Sequence, residues 1–229
     1  MKASQQYNSF DVGNLLKKDA IFITGTGTDV GKTFASGFIA RQLVKKGFQV
    51  AYMKAVQTGL SESKPDHEIV KRICPEIIAL EENLSCPYRF DLPASPHLSA
   101  KNEKRKIIPQ KIIGTFNAIR KQYPSSKILV EGAGGTMVPI VKKYMMIDLI
   151  CDLKIPAIIV SLPSLGTINH TLLTVAALRS RKIQILGIAF SMNENQSGIL
   201  VEDNIRTIKD STKIKNCGII PKIINQADY

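Results

Sequence analysis

Short apolar runs alternate with longer segments whose apolar residues recur at helical spacing along most of the chain. Runs of this length are typical of buried parallel strands, and they occur at residues 21–23, 49–53, 127–130, 157–160, 185–190 and 217–220. Helical spacing predicts helices over residues 32–46, 108–123 and 168–181. The proline-containing stretch 59–106 predicts irregular structure. Because strands and helices alternate, we expect an α/β fold with a mostly parallel, doubly wound sheet covered on both faces.

The segment AIFITGTGTDVGKTF, residues 20–34, predicts a strand, a glycine-rich loop and the start of a helix. Its glycines allow a tight turn and bring backbone N–H groups close to a ligand. They are Gly25, Gly27 and Gly31. Lys32 and Thr33 add a cation for phosphate and a hydroxyl for magnesium, so the segment predicts a P-loop NTPase-like site for a triphosphate. The loop is a variant, since the strict pattern G-x-x-x-x-G-K-[ST] has glycine where this chain has Thr26.

Length and composition fit one domain over residues 1–229, in which residues 1–18 form a polar extension before the first strand. No apolar run has the length of a membrane span, and the N-terminus lacks the continuous apolar segment of a secretory signal. The cysteines are scattered without CxxC spacing, which favours reduced thiols in a cytoplasmic protein.

A formal net charge of +12 raises the hypothesis of a nucleic-acid partner. The lysines are spread over loops and the ends of predicted elements, with few aromatic residues among them to stack on bases. We therefore favour a solvated, lysine-rich surface that attracts anionic substrates. We expect neither a nucleic acid nor a membrane as a partner.

Several polar residues follow the predicted strands, at the edge where open parallel sheets bind ligands. Glu131 is followed by glycines that permit close approach of a triphosphate, so it predicts a magnesium-binding acid. Asp66 could be a second such acid, although Pro-Asp also commonly begins a helix. Lys54 could hold negative charge that develops during phosphoryl transfer. Taken singly, each side chain is also compatible with a solvated residue at an element's end.

Six motifs occur in a fixed order over about residues 20–225. They are GTGTDVGKT at 25–33, YMKAVQTG at 52–59, SPH at 95–97, VEGAGG at 130–135, GTINH at 166–170 and GIIP at 218–221. This ordered set resembles the dethiobiotin synthetase family. The first loop alone is shared with related amide-forming synthases, whereas the ordered set is specific.

The resemblance implies a cytoplasmic, ATP- and Mg²⁺-dependent cyclo-ligase that forms a homodimer with active sites at the subunit interface. Its substrates would be 7,8-diaminopelargonic acid, CO2 or bicarbonate, and ATP. Its products would be dethiobiotin, ADP and phosphate. The reaction would pass through a carbamate and a carbamic–phosphoric anhydride, which the second amine attacks to close the ring.

The resemblance also assigns roles to residues. The reaction centre would contain Thr28, Asp29, Lys32 and Lys54, and magnesium would be held by Thr33, Asp66 and Glu131. ATP would contact Asp29, Val30, Gly31, Lys32, Thr33, Phe34, Asp66, Glu131, Gly132, Ala133, Gly134, Ser191 and Pro221. The diamine would contact Thr58 and Ser95, and its carboxylate would reach Gly166, Thr167 and Asn169 of the neighbouring subunit. A helix start is a suitable partner for that carboxylate.

The chain departs from the family pattern at three positions. Ala55 follows the strand-end lysine where the family usually has proline, and Asp29 stands where a longer glutamate is often found. Ser191 occupies the position at which an asparagine normally reads adenine. Asn193, two residues further on, is the candidate replacement.

A partitioning or positioning ATPase of the same broad fold, acting on DNA or a membrane, is the alternative function, and the basic charge suits it. Such proteins usually carry an extra lysine early in the phosphate loop, where this chain has Gly25-Thr26-Gly27-Thr28. A cobyrinate-type amide synthase is a second alternative. Those chains carry a glutaminase domain, for which 229 residues leave no room.

Overall fold

The computed structural model describes residues 9–192 and 198–220, and a parallel sheet of six strands forms its centre. The strands are β1 (Ala20–Gly25), β2 (Val50–Lys54), β3 (Lys127–Gly135), β4 (Pro139–Val141), β5 (Tyr144–Met145), β6 (Ala157–Ser161), β7 (Ile185–Ser191) and β8 (Cys217–Ile220). β4 and β5 form a separate antiparallel pair, while the large sheet has the order β2-β3-β1-β6-β7-β8. Every pairing in the large sheet is parallel, which confirms the predicted α/β fold.

Helices cover both faces of this sheet. They are α1 (Lys32–Lys45), α2 (Asp66–Ile73), α3 (Glu82–Ser85), α4 (Pro96–Asn102), α5 (Pro109–Gln122), α6 (Met146–Leu153), α7 (Thr167–Ser180) and α8 (Ile199–Thr212). Successive residues of β1 face opposite ways, so Ile21 and Ile23 pack with α1 and Phe22 packs with the core of α5 to α8. Among the described residues, no helix is long and apolar enough to cross a membrane.

The strand order places the candidate site. β1 lies inside the sheet, with β3 on one side and β6 on the other, so the chain reverses its direction of winding at β1. Open parallel sheets bind ligands outside the carboxyl ends of the strands at such a switch point. The loop after β1 and the ends of β2 and β3 all lie at that edge.

The stretch 59–106 is more regular than its prolines suggested, because it contains α2, α3 and α4. Pro65 is the N-cap residue of α2, and Pro96 is the first residue of α4. A proline at a helix start loses no hydrogen bond and has the φ angle that a helix requires. These prolines therefore mark helix starts and not interruptions.

Residues 9–18, in the second half of the predicted polar N-terminal extension, pack on the sheet. Phe10 and Leu15 are buried, and the Phe10 N–H donates a 2.9 Å hydrogen bond to the Ile219 carbonyl. A Cβ on Gly218 would lie 2.6 Å from Phe10 Cα, so only glycine leaves room for this segment. A few apolar side chains in an otherwise polar sequence suffice to dock it. Residues 1–8 lie outside the described part.

Candidate active site

A cavity of about 380 Å³ lies at the carboxyl ends of β1, β2 and β3. It is lined by the phosphate loop, the segment after β2, the start of α2 and the glycine-rich end of β3. Many of the predicted site residues line it together: Thr28, Asp29, Gly31, Lys32, Thr33, Phe34, Lys54, Thr58, Asp66, Glu131, Ala133 and Gly134. The structure thus brings residues from four separate segments of the chain to one cavity.

The phosphate loop is held in a tight turn by its own residues. Gly31 has a φ angle of 87°, in the left-handed region that favours glycine. Lys32 Nζ donates a 2.7 Å hydrogen bond to the Gly27 carbonyl, which ties the end of the loop to its middle. α1 begins at Lys32, so the positive end of its dipole lies beside the cavity, as an anion site requires.

Glu131 is the buried charge at the centre of the site, with 0% of its surface exposed. Its Oε1 accepts hydrogen bonds from Thr33 Oγ1 at 3.1 Å and from Lys54 Nζ at 2.6 Å. Its Oε2 accepts from Ser36 Oγ at 2.7 Å and from the Tyr52 hydroxyl at 2.9 Å. Four donors satisfy the carboxylate, which an ionised group in a dry interior needs.

Lys54 lies between two carboxylates. Its Nζ is 2.6 Å from Glu131 Oε1 and 2.5 Å from Asp66 Oδ2. Lys54 and Glu131 are partners in the pairing of β2 with β3, and Asp66 is held at the start of α2 by a 3.2 Å hydrogen bond from its N–H to Gln57 Oε1. Sheet register and a helix start therefore direct both acids at one cation.

The two lysines of the site differ in their protonation. Burial, and then the positive charge of Lys54, lower the pKa of Lys32 to about 8. Burial also acts to lower the pKa of Lys54, but Glu131 and Asp66 outweigh it and hold that pKa above its usual value. Burial and then Glu131 raise the pKa of Tyr52, so its hydroxyl remains a donor. Near neutral pH, Lys54 therefore remains protonated, whereas Lys32 begins to lose its proton as the pH approaches about 8.

The oxygen donors around Lys54 suit a magnesium ion. Thr33 offers a hydroxyl and Asp66 and Glu131 offer carboxylates, which are the hard ligands that Mg²⁺ prefers. The two acids already converge on one ammonium group, which shows that their oxygens can share a cation. In the described part of the chain, no group of three or more His, Cys, Asp or Glu residues could hold a metal. A magnesium ion here would need phosphate oxygens and water as further ligands.

The expected diamine side is only partly assembled at this cavity. Thr58 lines it, but Ser95 does not. Ser95 precedes α4, and its Oγ lies 3.0 Å from His97 Nδ1. Gln57, to which the sequence analysis gave no role, lines the cavity and orients Asp66.

The expected carboxylate site at the start of α7 is separate from the cavity. Gly166 is the N-cap residue of α7 and has a φ of 89°, and no side chain caps the helix. Asn169 is exposed, while Thr167 is buried and its hydroxyl lies 2.8 Å from Ser161 Oγ. Within one subunit, this open helix start does not line the cavity that contains Lys54.

Two of the expected nucleotide contacts lie behind the cavity wall. Val30 is packed in the core between the sheet and α1. A Cβ on Gly132 would lie 2.9 Å from Phe22 Cε1, so glycine allows β3 to run close against the Phe22 ring. Val30 and Gly132 therefore contact the core and do not line the cavity.

Ser191, at the end of β7, packs directly on the phosphate loop. A Cβ on Gly31 would lie 2.2 Å from Ser191 Oγ. The side chain that stands at the expected adenine position is therefore close to the loop. Asn193 and Pro221 lie outside the described residues.

Two donors to Glu131, Ser36 and Tyr52, were not predicted from the sequence. Ser36 lies three residues after Thr33 on α1, and Tyr52 lies two residues before Lys54 on β2. These spacings place each on the same face as its neighbour. The helix and strand periods therefore identify Ser36 and Tyr52 as neighbours of Thr33 and Lys54, although not as donors to Glu131.

Comparisons with known proteins agree with this architecture. A family model described as an AAA domain matches residues 19–227. An ATP-dependent dethiobiotin synthetase BioD of Clostridium perfringens is 37% identical over 218 residues, which cover 91% of this chain and 93% of the relative. The protein of the same name from Methanocaldococcus jannaschii is 36% identical, with 91% and 95% covered. ATP-dependent dethiobiotin synthetase BioD 2 of Haemophilus influenzae is 41% identical over 174 residues, with 75% and 90% covered.

Solved structures show likeness in fold alone. The MinC:MinD cell division protein complex of Aquifex aeolicus matches with a TM-score of 0.55 at 18% identity, covering 90% of this chain and 82% of that one. Chloroplast FtsY from Physcomitrella patens matches with a TM-score of 0.53 at 13% identity, covering 90% and 59%. The dethiobiotin synthetases, in contrast, match in sequence over nearly their whole length, and this chain belongs to the dethiobiotin synthetase family.

Proposed function

We propose that this protein is an ATP-dependent dethiobiotin synthetase that carboxylates 7,8-diaminopelargonic acid with CO2 and closes the ureido ring. The products are dethiobiotin, ADP and phosphate. The observation that carries the proposal is the meeting of the phosphate loop, Lys54 and buried Glu131 in one cavity, in a chain whose relatives bear that name.

The proposed reaction has three bond-forming steps. One amine of the diamine attacks the carbon of CO2 and loses a proton, which gives a carbamate. A carbamate oxygen then attacks the γ-phosphorus while its bond to ADP breaks, which gives a carbamic–phosphoric anhydride. The second amine attacks the anhydride's carbonyl carbon, phosphate leaves with the bonding electron pair, and the lost proton passes to water. Anionic oxygens are present at every step.

The lysines of the cavity match that charge. Lys54 carries a permanent ammonium group, and Lys32 brings a second one from the phosphate loop. Cations fixed in a partly dry site stabilise developing negative charge more strongly than they do in water. We assign both lysines to the carbamate and the transferring phosphoryl group, with Thr28 and Asp29 beside them in the cavity wall.

Thr33, Asp66 and Glu131 would hold magnesium. When bound, the ion supplies positive charge that neutralises phosphate oxygens. Lys54 must then give up its contacts with one or both carboxylates and turn to the substrate.

We further propose a homodimer in which α7 of one subunit receives the substrate carboxylate of the other. Apolar residues are exposed just before and within α7, at Leu165 (89%) and Leu173 (61%), and at the start of α8, at Ile199 (84%) and Leu200 (48%). Asn204 Nδ2, in the first half of α8, donates a 3.3 Å hydrogen bond to the Ser164 carbonyl, so α8 lies beside the loop that leads into α7. Clustered apolar exposure of this kind is typical of an interface.

The expected setting is the cytoplasm. The cysteines of the described chain, Cys74, Cys86, Cys151 and Cys217, are all free thiols, which suits a reducing compartment. The expected partners are small molecules and a second copy of this chain. Neither a nucleic acid nor a membrane forms part of the proposal.

A direct assay tests the proposed function. Purified protein is incubated with ATP, Mg²⁺, bicarbonate and 7,8-diaminopelargonic acid, and dethiobiotin and ADP are quantified by mass spectrometry. We expect equal amounts of the two products, with ADP formation dependent on the diamine. If the rate of ATP hydrolysis does not depend on the diamine and increases when DNA or lipid vesicles are added, the result would instead support the positioning ATPase.

A further inference from the structure

The four hydrogen bonds to Glu131 divide into two pairs. Thr33 and Lys54 bind Oε1, on the side of the cavity, and both line it. Ser36 and Tyr52 bind Oε2, and neither lines the cavity. One oxygen thus faces ligands and the other faces the core between α1 and β2.

In the proposed function, binding of magnesium and substrate breaks the two hydrogen bonds that Thr33 and Lys54 donate to Glu131 Oε1. Thr33 turns to magnesium and Lys54 to the substrate, so Oε1 exchanges both of its partners during binding. The carboxylate is fully buried, and an ionised group there must keep donors at its remaining oxygen.

We propose that Ser36 and Tyr52 are positioning residues that hold Oε2 of Glu131, so that Oε1 remains directed at the magnesium and phosphate site while its own partners change. This inference rests on the proposed function. Outer partners of this kind orient ligating carboxylates and tune their affinity for a metal.

Tyr52 is the more decisive of the two donors. The Ser36 hydroxyl has one proton and two acceptors in reach, Glu131 Oε2 at 2.7 Å and the Lys32 carbonyl at 3.0 Å. Among the described residues, the Tyr52 hydroxyl has a single acceptor, Glu131 Oε2. Its ring is fixed in the core of the α1 face, so the hydroxyl has a fixed direction.

Tyr52→Phe removes this hydroxyl and leaves the ring. Binding of a non-hydrolysable ATP analogue is measured by calorimetry with Mg²⁺ and with EDTA, and the Mg²⁺ concentration for half-maximal binding is recorded. We expect roughly tenfold weaker binding with Mg²⁺ in the variant, in line with losses seen for outer-sphere partners. Binding in EDTA should remain within about twofold of the unaltered protein, since the phosphate loop is intact.

Tyr88→Phe is the matched control. Tyr88 is also buried, but its hydroxyl accepts a 2.9 Å hydrogen bond from the Ile108 N–H, away from Glu131. Loss of a buried hydroxyl should lower the melting temperature in both variants. Only Tyr52→Phe should change the response to Mg²⁺.

A double-mutant cycle tests whether Tyr52 acts through Glu131. In a Glu131→Ala background, which lacks both acceptor oxygens, Tyr52→Phe should leave the remaining binding of the ATP analogue with Mg²⁺ unchanged. An undiminished effect in that background, or a Tyr52→Phe protein that responds to Mg²⁺ normally, would overturn the inference. Ser36→Ala undergoes the same measurements if Tyr52→Phe does not fold. Failure of the proposed function appears separately, as an unaltered protein that makes no dethiobiotin.

Discussion

At the residue scale, Lys32 and Lys54 share one cavity but respond differently to pH. The pKa of Lys32 is lowered to about 8 and that of Lys54 is raised, because only Lys54 has carboxylates in direct contact. Only the protonated form of Lys32 attracts phosphate. Nucleotide binding should therefore be strongest below pH 8 and weaken above it.

The first prediction is that the affinity for an ATP analogue falls as pH rises through about 8, by up to roughly tenfold per pH unit. Calorimetric titrations on both sides of pH 8 measure this. Lys32→Ala should remove most turnover while the fold is retained, and it should remove the pH dependence. A variant with an unaltered pH profile would assign the titration to another group.

The second prediction concerns Lys54→Gln. If Lys54 acts mainly on charge that develops in the transition state, the substitution should lower kcat more than it raises KM for ATP. The variant also leaves Asp66 and Glu131 as neighbouring acids without their shared cation, so its melting temperature should fall. Steady-state kinetics at saturating Mg²⁺ measure kcat and KM for ATP separately, and thermal unfolding gives the melting temperature. A change in KM alone would make Lys54 a ground-state binding residue.

The third prediction follows from Ser191. Its hydroxyl lies against the phosphate loop and cannot make the bidentate contact of an asparagine amide, which contributes about 1–3 kcal/mol of base discrimination. The protein should therefore distinguish ATP poorly from GTP or CTP. Values of kcat/KM for the three nucleotides measure this. A strong preference for ATP that survives Asn193→Ala would exclude both side chains as its source.

At the scale of elements, the sequence specified the sheet better than the helices around the site. The buried strands give uninterrupted apolar runs, and β8 occupies the predicted residues 217–220. α8 was not predicted, although its buried residues Val201, Ile208 and Thr212 share one side. α6 is short and follows a hairpin whose strands span two or three residues, too few for a periodic signal.

The site residues that could be predicted lie at the end of a short apolar run. Lys54 is the last residue of β2 and Glu131 follows the run 128–130 inside β3, and their pairing places both near the carboxyl edge, where open parallel sheets bind ligands. Ser36 and Tyr52 were missed because their role depends on which face of α1 lies over which face of β2. The hydrogen bonds from Ser36 and Tyr52 to Glu131 span 95 and 79 residues of the chain, so no local pattern shows that these side chains meet Glu131.

The fourth prediction concerns α5, which packs on the sheet face opposite α1. Its Phe116 is 1% exposed, so Phe116→Ala should reduce the free energy of unfolding by about 3–5 kcal/mol. Asn117→Ala, at an exposed position of the same helix, should change it by less than about 0.5 kcal/mol. Urea titrations give both values. Since α5 does not line the cavity, kcat should be retained in the folded protein.

At the scale of the whole molecule, nine of the 31 lysines and arginines lie at the sheet edge opposite the candidate site. Two cavities at the amino ends of the strands are lined by Lys17, Lys18, Arg120, Lys154, Arg181, Lys182, Lys209, Lys213 and Lys215. α5, α6, α7 and α8 end beside them, and each helix end carries about half a negative charge. Cations at these positions stabilise the helix ends.

The last prediction is that two subunits share each site. The diamine carries its reacting amines at one end and a carboxylate at the other. If the amines lie beside Lys54, the carboxylate needs a partner some distance away, and the open start of α7 at Gly166 does not line the same subunit's cavity. A neighbouring subunit that presents its α7 start supplies that partner, and the exposed apolar residues around α7 favour such a contact.

Mixing two inactive variants tests this arrangement. One carries Lys54→Gln, and the other carries bulky substitutions at Gly166 and Thr167. In a hybrid dimer, one of the two sites combines an intact Lys54 with an intact α7 start, so roughly a quarter of all sites should recover when subunits mix randomly. Mass spectrometry of differently tagged subunits verifies the exchange. Hybrid dimers without dethiobiotin formation would place the carboxylate within the subunit that binds ATP, because every contact would then come from one chain.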